Sequence, residues 1–291
     1  MKAELQKKIR ITDRCIYLYI VTFLLMLIGE LAGSLIQHIP GINSGDVLSS
    51  ASHYLASIGI WGVFLLVFVI IPKNRPLLQT LWTKAKGNTF KMLMVGIAIG
   101  FGLNFFCIVV ALLCGNIHLT FSRFEILPLL LLLVAVLIQS SGEELVCRVF
   151  LYQRILRGYR TPIIAIVGNA LFFSFLHLAN SGVTVLSLTN IVVVGVFFSL
   201  IVYYTDSFWC ASAVHFSWNF TQNIIFGLPN SGKTVPFSIF VLNSDAVDGF
   251  AYNVGFGIEG TILANIVLVL ACVLIWQWGK KHPAEQLDIW Q

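Results

Sequence analysis

The chain has 291 residues, of which 58% are hydrophobic and 11% are charged, and its formal net charge is +5. About a quarter of the residues in a soluble domain are charged, so this composition excludes a water-soluble enzyme. The aromatic content of 13% excludes intrinsic disorder. The six cysteines are scattered through apolar runs without a CxxC pair, which excludes a secreted disulfide scaffold. The predicted fold class is an all-α, polytopic membrane helical bundle, with residues 1–291 forming a single integral membrane domain.

Eight apolar segments follow one another along the chain, and each approaches the roughly 20 residues that a bilayer-crossing helix needs. They lack the alternating pattern of barrel strands, which favours helices. The seventh segment is short and contains His215, Asn219 and Gln222, so the number of spans is open by one. The predicted spans lie near 16–37, 55–72, 92–114, 126–151, 162–179, 185–204, 208–226 and 260–278.

The basic residues predict the orientation of these spans, because cytoplasmic loops carry an excess of Lys and Arg. Eight spans with both termini in the cytoplasm leave only Arg123 and Lys233 outside, and Arg148 within a span. Attraction of the other basic residues to an anionic leaflet accounts for the net charge, so no nucleic-acid partner is expected. The predicted cytoplasmic residues are Lys2, Lys7, Lys8, Arg10, Arg14, Lys73, Arg75, Lys84, Lys86, Lys91, Arg154, Arg157, Arg160, Lys280 and Lys281.

Two glycine-rich segments match nucleotide-binding patterns by letter. The segment Gly227–Thr234 fits G-x-x-x-x-G-K-[ST], but a P-loop needs a strand before it and a helix after it. Here an apolar helix precedes the match, so no nucleotide partner is expected. The segment Gly255–Gly260 fits G-x-G-x-x-G without a flanking βαβ unit, and it is interpreted as a glycine-rich lead into the last span.

A few ionisable and polar residues fall inside apolar segments, where they are costly and are candidates for function. Glu144 and Arg148 are four residues apart and share a helix face, so they are predicted to pair. Glu143 points about 100° away from Glu144 around the same helix, toward a different neighbour. The remaining intramembrane residues are Glu30, Phe173 with His177 at the same spacing of four, and His215 with Asn219, again four apart. The spacing predicts that the ring of Phe173 packs beside the imidazole of His177.

The chemistry that such a cluster allows is peptide hydrolysis. Glu143 and a histidine can hold and deprotonate a water molecule, and a second histidine with Asn219 can donate to an oxyanion. Alternatively, Glu143, His177 and His215 form a carboxylate-and-imidazole set for a divalent metal such as zinc. A lone histidine in an apolar helix is more often a packed core residue, so the functional interpretation depends on convergence. Helix lengths allow convergence in the cytoplasmic half of the membrane.

Three motifs, on the fourth, fifth and seventh apolar segments, resemble those of the CPBP intramembrane proteases, also called the CAAX protease, bacteriocin-processing or Abi family. The motifs are Glu143-Glu144-Leu-Val-Cys-Arg148, Phe173-Ser-Phe-Leu-His177 and His215-Phe-Ser-Trp-Asn219. The resemblance is close over 140–225 and assigns the catalytic core to 126–226.

This resemblance implies a role for each motif residue. Glu143 and His177 would activate water, and His215 and Asn219 would form the oxyanion hole. Glu144, Arg148 and Phe173 would support them. A metal-free glutamate mechanism is favoured over a metalloprotease, since Asn219 has the character of a donor, so the expected cofactor is none or else zinc.

The resemblance also implies the substrate class, a peptide or lipidated protein of the CAAX or the bacteriocin and leader-peptide type. Access is expected from the cytoplasmic side or laterally, and compact loops favour a bacterial plasma membrane, with membrane lipids as surroundings. Two other functions stay open. One is a non-catalytic scaffold or bacteriocin-immunity protein, and the other is a proton-coupled transporter with Glu143, Glu144 and His177 as a relay. The roles of Glu30 and Glu259 are undetermined.

Overall fold

The computed structural model of the chain describes residues 9–282 and 287–290, and these are mostly helical. The predicted polytopic α-helical bundle is confirmed, with one antiparallel pair of three-residue strands in addition. The basic residues Lys2, Lys7 and Lys8 lie outside the described residues. The elements are α1 Cys15–Ser34, α2 Gly45–Leu55, α3 Ile58–Ile70, α4 Phe90–Leu113, β1 Leu119–Phe121, α5 Ile126–Glu144, α6 Tyr152–Tyr159, α7 Pro162–Phe175, α8 Val185–Thr205, α9 Phe208–Asn219, β2 Phe240–Leu242 and α10 Ile262–Lys281.

Six helical stretches in the described part of the chain are long and apolar enough to cross a membrane, so the protein is a multi-pass membrane protein. The other two predicted spans are also helical, but α7 is shorter than a full span, and α9 is continued by a π-helical turn over Phe220–Ile225. The count of eight therefore stays a prediction. The six stretches are Cys15–His38, Gly45–Ile70, Phe90–Leu113, Ile126–Tyr159, Val185–Thr205 and Ile262–Lys281.

Side-chain hydroxyl groups cap the N-termini of several of these helices. Thr184 accepts a hydrogen bond from the backbone N–H of Ser187 at the start of α8, and Ser207 accepts one from Cys210 at the start of α9. Thr261 does the same at the start of α10. Such caps satisfy N–H groups that have no partner within the helix, which matters most where water is scarce.

The helix that carries His215 is packed tightly against α4. A Cβ atom added at Gly100 would overlap the backbone carbonyl oxygen of Val214, and one at Gly96 would lie 2.5 Å from that of Cys210. Small residues allow this close backbone approach between membrane helices. The two glycines therefore fix the depth and rotation of α9, and with them the position of His215.

The described connections gather at two ends of the bundle. At one end Arg154 bonds Asp13 at 2.8 Å and also bonds Asn74, while Asp206 accepts a hydrogen bond from the backbone N–H of Lys86. These contacts join the N-terminal segment, the 71–89 connection, α6 and the link between α8 and α9. We call this the basic end, and its described Lys and Arg residues are Arg10, Arg14, Lys73, Arg75, Lys84, Lys86, Lys91, Arg154, Arg157, Arg160, Lys280 and Lys281.

The opposite end, which we call the loop end, joins the connections 35–44, 114–125, 176–184 and 226–261. Asn180 donates to the carbonyl of Ser231 at 2.9 Å, and the strands β1 and β2 pair in this region.

The segment that fits the P-loop pattern is part of the loop end. The backbones of Asn230 and Lys233 exchange hydrogen bonds of 2.8 and 2.9 Å, with Ser231 and Gly232 at φ 47° and 80° between them. Two central residues with positive φ form a hairpin-type turn. A π-helical turn precedes this segment and irregular backbone follows it, so the described chain lacks the strand and helix of a P-loop here. Gly255–Gly260 leads through a short 3₁₀ helix into α10, in agreement with its interpretation as a lead into the span.

Candidate active site

A cavity of about 370 Å³ lies among α1, α5, α7, α8 and α9 and reaches the loop end. Glu143, His177, His215 and Asn219, the residues predicted to be catalytic, all line it. The convergence on which their functional interpretation depends is therefore present in the structure. The cavity wall runs from the middle of the bundle to Asn230 in the loop-end turn rather than toward the basic end. Which of the two ends is cytoplasmic stays a prediction.

Glu143 presents its carboxylate to the cavity. Its side chain is 19% exposed, and its Oε1 accepts a hydrogen bond of 2.5 Å from Nε2 of Gln139, one turn earlier in α5. Its Oε2 lies 3.9 Å from Nε2 of His215. The carboxylate is thus held in place on one side and is open to a water molecule or a substrate on the other.

Glu144 points away from the cavity and is fully buried. Its Oε1 accepts hydrogen bonds from Nη1 of Arg148 at 3.0 Å and from Nδ1 of His215 at 2.9 Å. The predicted pairing of Glu144 with Arg148 is confirmed. Because an ionised carboxylate only accepts hydrogen bonds, His215 carries a proton on Nδ1, and its Nε2 faces Glu143.

Two aromatic rings enclose the Arg148 guanidinium. Its central carbon lies 4.7 Å from the ring centre of Phe173 and 5.0 Å from that of Phe198, and Nη2 donates to the carbonyl of Gly195 at 3.2 Å. The ring of Phe198 also stacks on His215, with 5.2 Å between ring centres. Cation–π contacts are strongest where water is excluded. The pair of Glu144 and Arg148 therefore forms a packed support behind His215.

His177 lies just beyond the end of α7 and turns its second nitrogen toward the cavity. Its Nδ1 is 2.9 Å from the carbonyl oxygen of Phe173, which can only accept, so Nδ1 is protonated and Nε2 holds a lone pair. The ring of Phe173 packs against the imidazole, with 4.8 Å between ring centres, as the spacing of four residues predicted. His177 is thus arranged as a hydrogen-bond acceptor for water.

Asn219 is fixed by neighbours from two directions. Its Nδ2 donates to Oε1 of Gln139 at 3.2 Å and to Oγ of Ser140 at 3.3 Å, and its Oδ1 accepts from Nδ2 of Asn230 at 3.0 Å. These bonds orient the amide at the cavity wall and connect α5, α9 and the loop-end turn. Gln139 consequently contacts both Glu143 and Asn219.

A π-helical turn overlaps the first of the three motifs, and another follows the third. Leu145–Leu151 begins directly after Glu144, and Phe220–Ile225 begins directly after Asn219. Such wide turns occur frequently at functional sites. The motif spacing gave no indication of them, because hydrophobic periodicity does not resolve one additional residue in a turn.

The structure does not assemble the alternative metal set of Glu143, His177 and His215. Within the described residues no three His, Cys, Asp or Glu side chains form a group that could hold a metal ion. The hydrogen bonds from Nδ1 of His177 to Phe173 and from Nδ1 of His215 to Glu144 leave Nε2 of each ring toward the cavity, as they also would in a metal-bound histidine. The positions of the three side chains, and not the hydrogen bonds of the rings, therefore speak against a metal triad.

Glu30 and Glu259 also line the cavity, which the sequence left undetermined. Glu259 accepts hydrogen bonds from Nε1 of Trp218 at 3.0 Å and from Nε2 of Gln222 at 2.7 Å. Burial raises the pKa of the Glu259 carboxyl above its ordinary value, and the bond from Gln222 opposes that rise. Glu259 thus joins α9 to the last connection before α10. Sequence reasoning overlooked Gln139, although its position four residues before Glu143 was a usable signal.

Residues 124–221 match the family model described as type II CAAX prenyl endopeptidase Rce1-like. The match begins just before α5, ends just after α9, and contains all three motifs. A search of curated proteins found no significant match. The resemblance to the CPBP and CAAX proteases is confirmed: residues 124–221 carry the pattern of the Rce1-like type II CAAX prenyl endopeptidases, a family of membrane proteases.

Proposed function

We propose that the protein is an intramembrane endopeptidase that hydrolyses a hydrophobic or lipidated peptide by a metal-free, glutamate-based mechanism. The observation that carries this proposal is the joint presence of Glu143, His177, His215 and Asn219 on one cavity wall, with Glu144 and Arg148 buried behind them. The family match supports a CAAX-type substrate. Leader-type peptides of a bacterial plasma membrane are the second class to test, since the connections are compact.

The first step is activation of water. A molecule between the Glu143 carboxylate and Nε2 of His177 can donate to both acceptors, and Glu143 takes its proton as the oxygen attacks the scissile carbonyl carbon. Gln139 holds the carboxylate in place through Oε1, which leaves Oε2 on the reacting side. Ordering of the water and the carboxylate before reaction lowers the entropic part of the barrier.

The second step is stabilisation of the oxyanion that forms on the carbonyl oxygen. Once Nε2 of His215 has taken up a proton from solvent in the cavity, its N–H can donate to the oxyanion, while the Nδ1–H keeps its hydrogen bond to Glu144. Asn219 supplies a second donor when its Nδ2 exchanges the 3.3 Å bond to Ser140 for the oxyanion. Prearranged donors of this kind each contribute about 2.7–4 kcal/mol in other hydrolases. The proton on Glu143 then passes to the amide nitrogen, and the C–N bond breaks.

The direct test is Glu143→Gln in a peptide-cleavage assay on purified protein, with a prenylated CAAX peptide and a set of leader-type peptides. Loss of a general base lowers the rate by about 10²–10⁴-fold, and glutamine keeps the size of the side chain. The matched control is Glu125→Gln, which makes the same change at an exposed glutamate before α5. A strong chelator should leave cleavage unchanged.

Two results would contradict the proposal. Cleavage that survives in Glu143→Gln would show that Glu143 is not the general base. Cleavage that is abolished by the chelator and restored by zinc would replace the metal-free mechanism with a metal-dependent one.

A further inference from the structure

The two ends of the bundle differ strongly in charge. The basic end holds twelve described Lys and Arg residues, whereas Arg123 and Lys233 are the two that the described chain places at the loop end. Arg123 is paired there with Asp46 at 3.0 Å. The other acidic residues of the described loop end are Glu125, Asp245, Asp248 and Glu259.

The active-site cavity belongs to the loop end. Its outer wall includes Asn180, Asn230 and Lys233 from the loop-end connections, together with Gln37 just beyond α1. None of its described lining residues comes from the basic-end connections 71–89, 152–161 or 205–207. Glu143 and His215 form its inner part; Glu143 lies at the end of α5, about midway along the apolar stretch Ile126–Tyr159, and His215 lies within α9. A substrate therefore reaches the catalytic groups by way of the loop end.

Charge asymmetry of this kind determines which end stays in the cytoplasm. Short loops rich in Lys and Arg are retained on the cytoplasmic side, and acidic residues contribute little to the choice. Both the connections and the helix ends with basic residues meet the conditions of that rule, because they are short and adjoin the spans. The basic end is thereby assigned to the cytoplasm, and the loop end to the opposite face.

We infer that the active-site cavity opens on the non-cytoplasmic face of the membrane and takes peptide substrates from that side. Resting on the proposed function, the inference selects the leader-type class: the substrate is an exported peptide, or a segment of a membrane protein on the non-cytoplasmic side of its span. A CAAX tail on a cytoplasmic protein would not reach the cavity from this face. This reverses the expectation of access from the cytoplasmic side. Lateral access from the bilayer stays compatible with it, provided that the scissile bond lies toward the loop end.

The test is labelling of single cysteines with a membrane-impermeant maleimide in intact cells and in inside-out vesicles. The background variant is Cys114→Ser, because Cys114 is the exposed native cysteine among the described residues. Gln37→Cys reports on the cavity mouth, and Lys84→Cys is the matched reporter at the basic end. Both positions are exposed, and neither residue belongs to the catalytic group.

We expect Gln37→Cys to be labelled in intact cells, and Lys84→Cys to be labelled only in inside-out vesicles. The inverse pattern would overturn the inference and place the mouth in the cytoplasm. Labelling does not require catalysis, so an inactive protein with the expected pattern would contradict the proposed function and still support the sidedness. The unmodified Cys114→Ser background measures labelling of the remaining thiols.

Discussion

Glu143 and Glu144 are neighbours in the chain but lie in opposite kinds of surroundings. Glu143 is 19% exposed to a cavity and has an oxygen free for chemistry, whereas Glu144 is 0% exposed and bonds Arg148 and His215. A single residue step turns a helical side chain by about 100°, and here that turn separates an open wall from a packed support. The comparison teaches that adjacent carboxylates can have separate tasks: under the proposed function Glu143 serves activity and Glu144 serves stability, and this division can be tested.

The largest stability effect is expected on the packed side. Arg148→Met leaves Glu144 buried without its cationic partner and with only the hydrogen bond from His215, and breaking a buried ion pair costs about 3–5 kcal/mol. Thermal unfolding in detergent should therefore show a much lower midpoint than for wild type, whereas Glu143→Gln should unfold near the wild-type temperature. The double variant with Glu144→Gln should recover part of the loss, because the unpaired charge is gone. Equal unfolding midpoints for Arg148→Met and wild type would show that the pair of Glu144 and Arg148 does not stabilise the fold.

A smaller effect, on activity rather than stability, is expected on the open side. Gln139→Ala removes the donor to Glu143 and the acceptor for Asn219, and a hydrogen bond contributes about 0.5–1.5 kcal/mol. If this loss falls on the transition state, cleavage slows about ten-fold. Gln37→Ala is the control, since it removes a glutamine from the outer wall of the same cavity. Similar rates for both variants would show that Gln139 does not position Glu143.

The smallest effect concerns pH and Glu259. Its pKa is raised above the ordinary value of 4.5 in the folded protein, so folding favours the protonated form. Wild type therefore loses this contribution as the pH rises above 4.5 and through the raised pKa. Glu259→Gln has no carboxyl group to titrate at this position. As the pH rises, its unfolding temperature should therefore increase relative to that of wild type. A difference in midpoint that is constant with pH would contradict this assignment.

The sequence predicted contacts within one helix better than contacts between helices. A spacing of four residues was sufficient for Glu144 with Arg148 and for Phe173 with His177, because such residues stay close even where the helix widens after Glu144 or ends before His177. The helical class followed from the composition, since only helices satisfy the backbone of such apolar segments.

The meeting of His215 with Glu144 was beyond local reasoning, because it depends on how α5 and α9 pack. Resemblance to a family, rather than spacing, brought the three motifs to one site. The contribution of Asn230 was also hidden, since its segment resembled a P-loop by letter while its backbone forms a tight turn. Glu259 lies 40 residues after Asn219, and only the folded connection brings it to the cavity.

The π-helical turns after Glu144 and Asn219 make the site sensitive to chain length. Each turn holds one residue more than an α-helical turn would, and the turn over Leu145–Leu151 therefore puts α5 and α6 out of phase with a regular repeat. Deleting one residue from Leu145–Leu151 would restore regular winding and rotate Glu143 and Glu144 together by about 100° relative to α6. Glu143 would then no longer face the cavity, and Glu144 would no longer face Arg148 and His215, although none of these side chains had been altered. In this part of the molecule, the number of residues is as much a determinant of function as their identity.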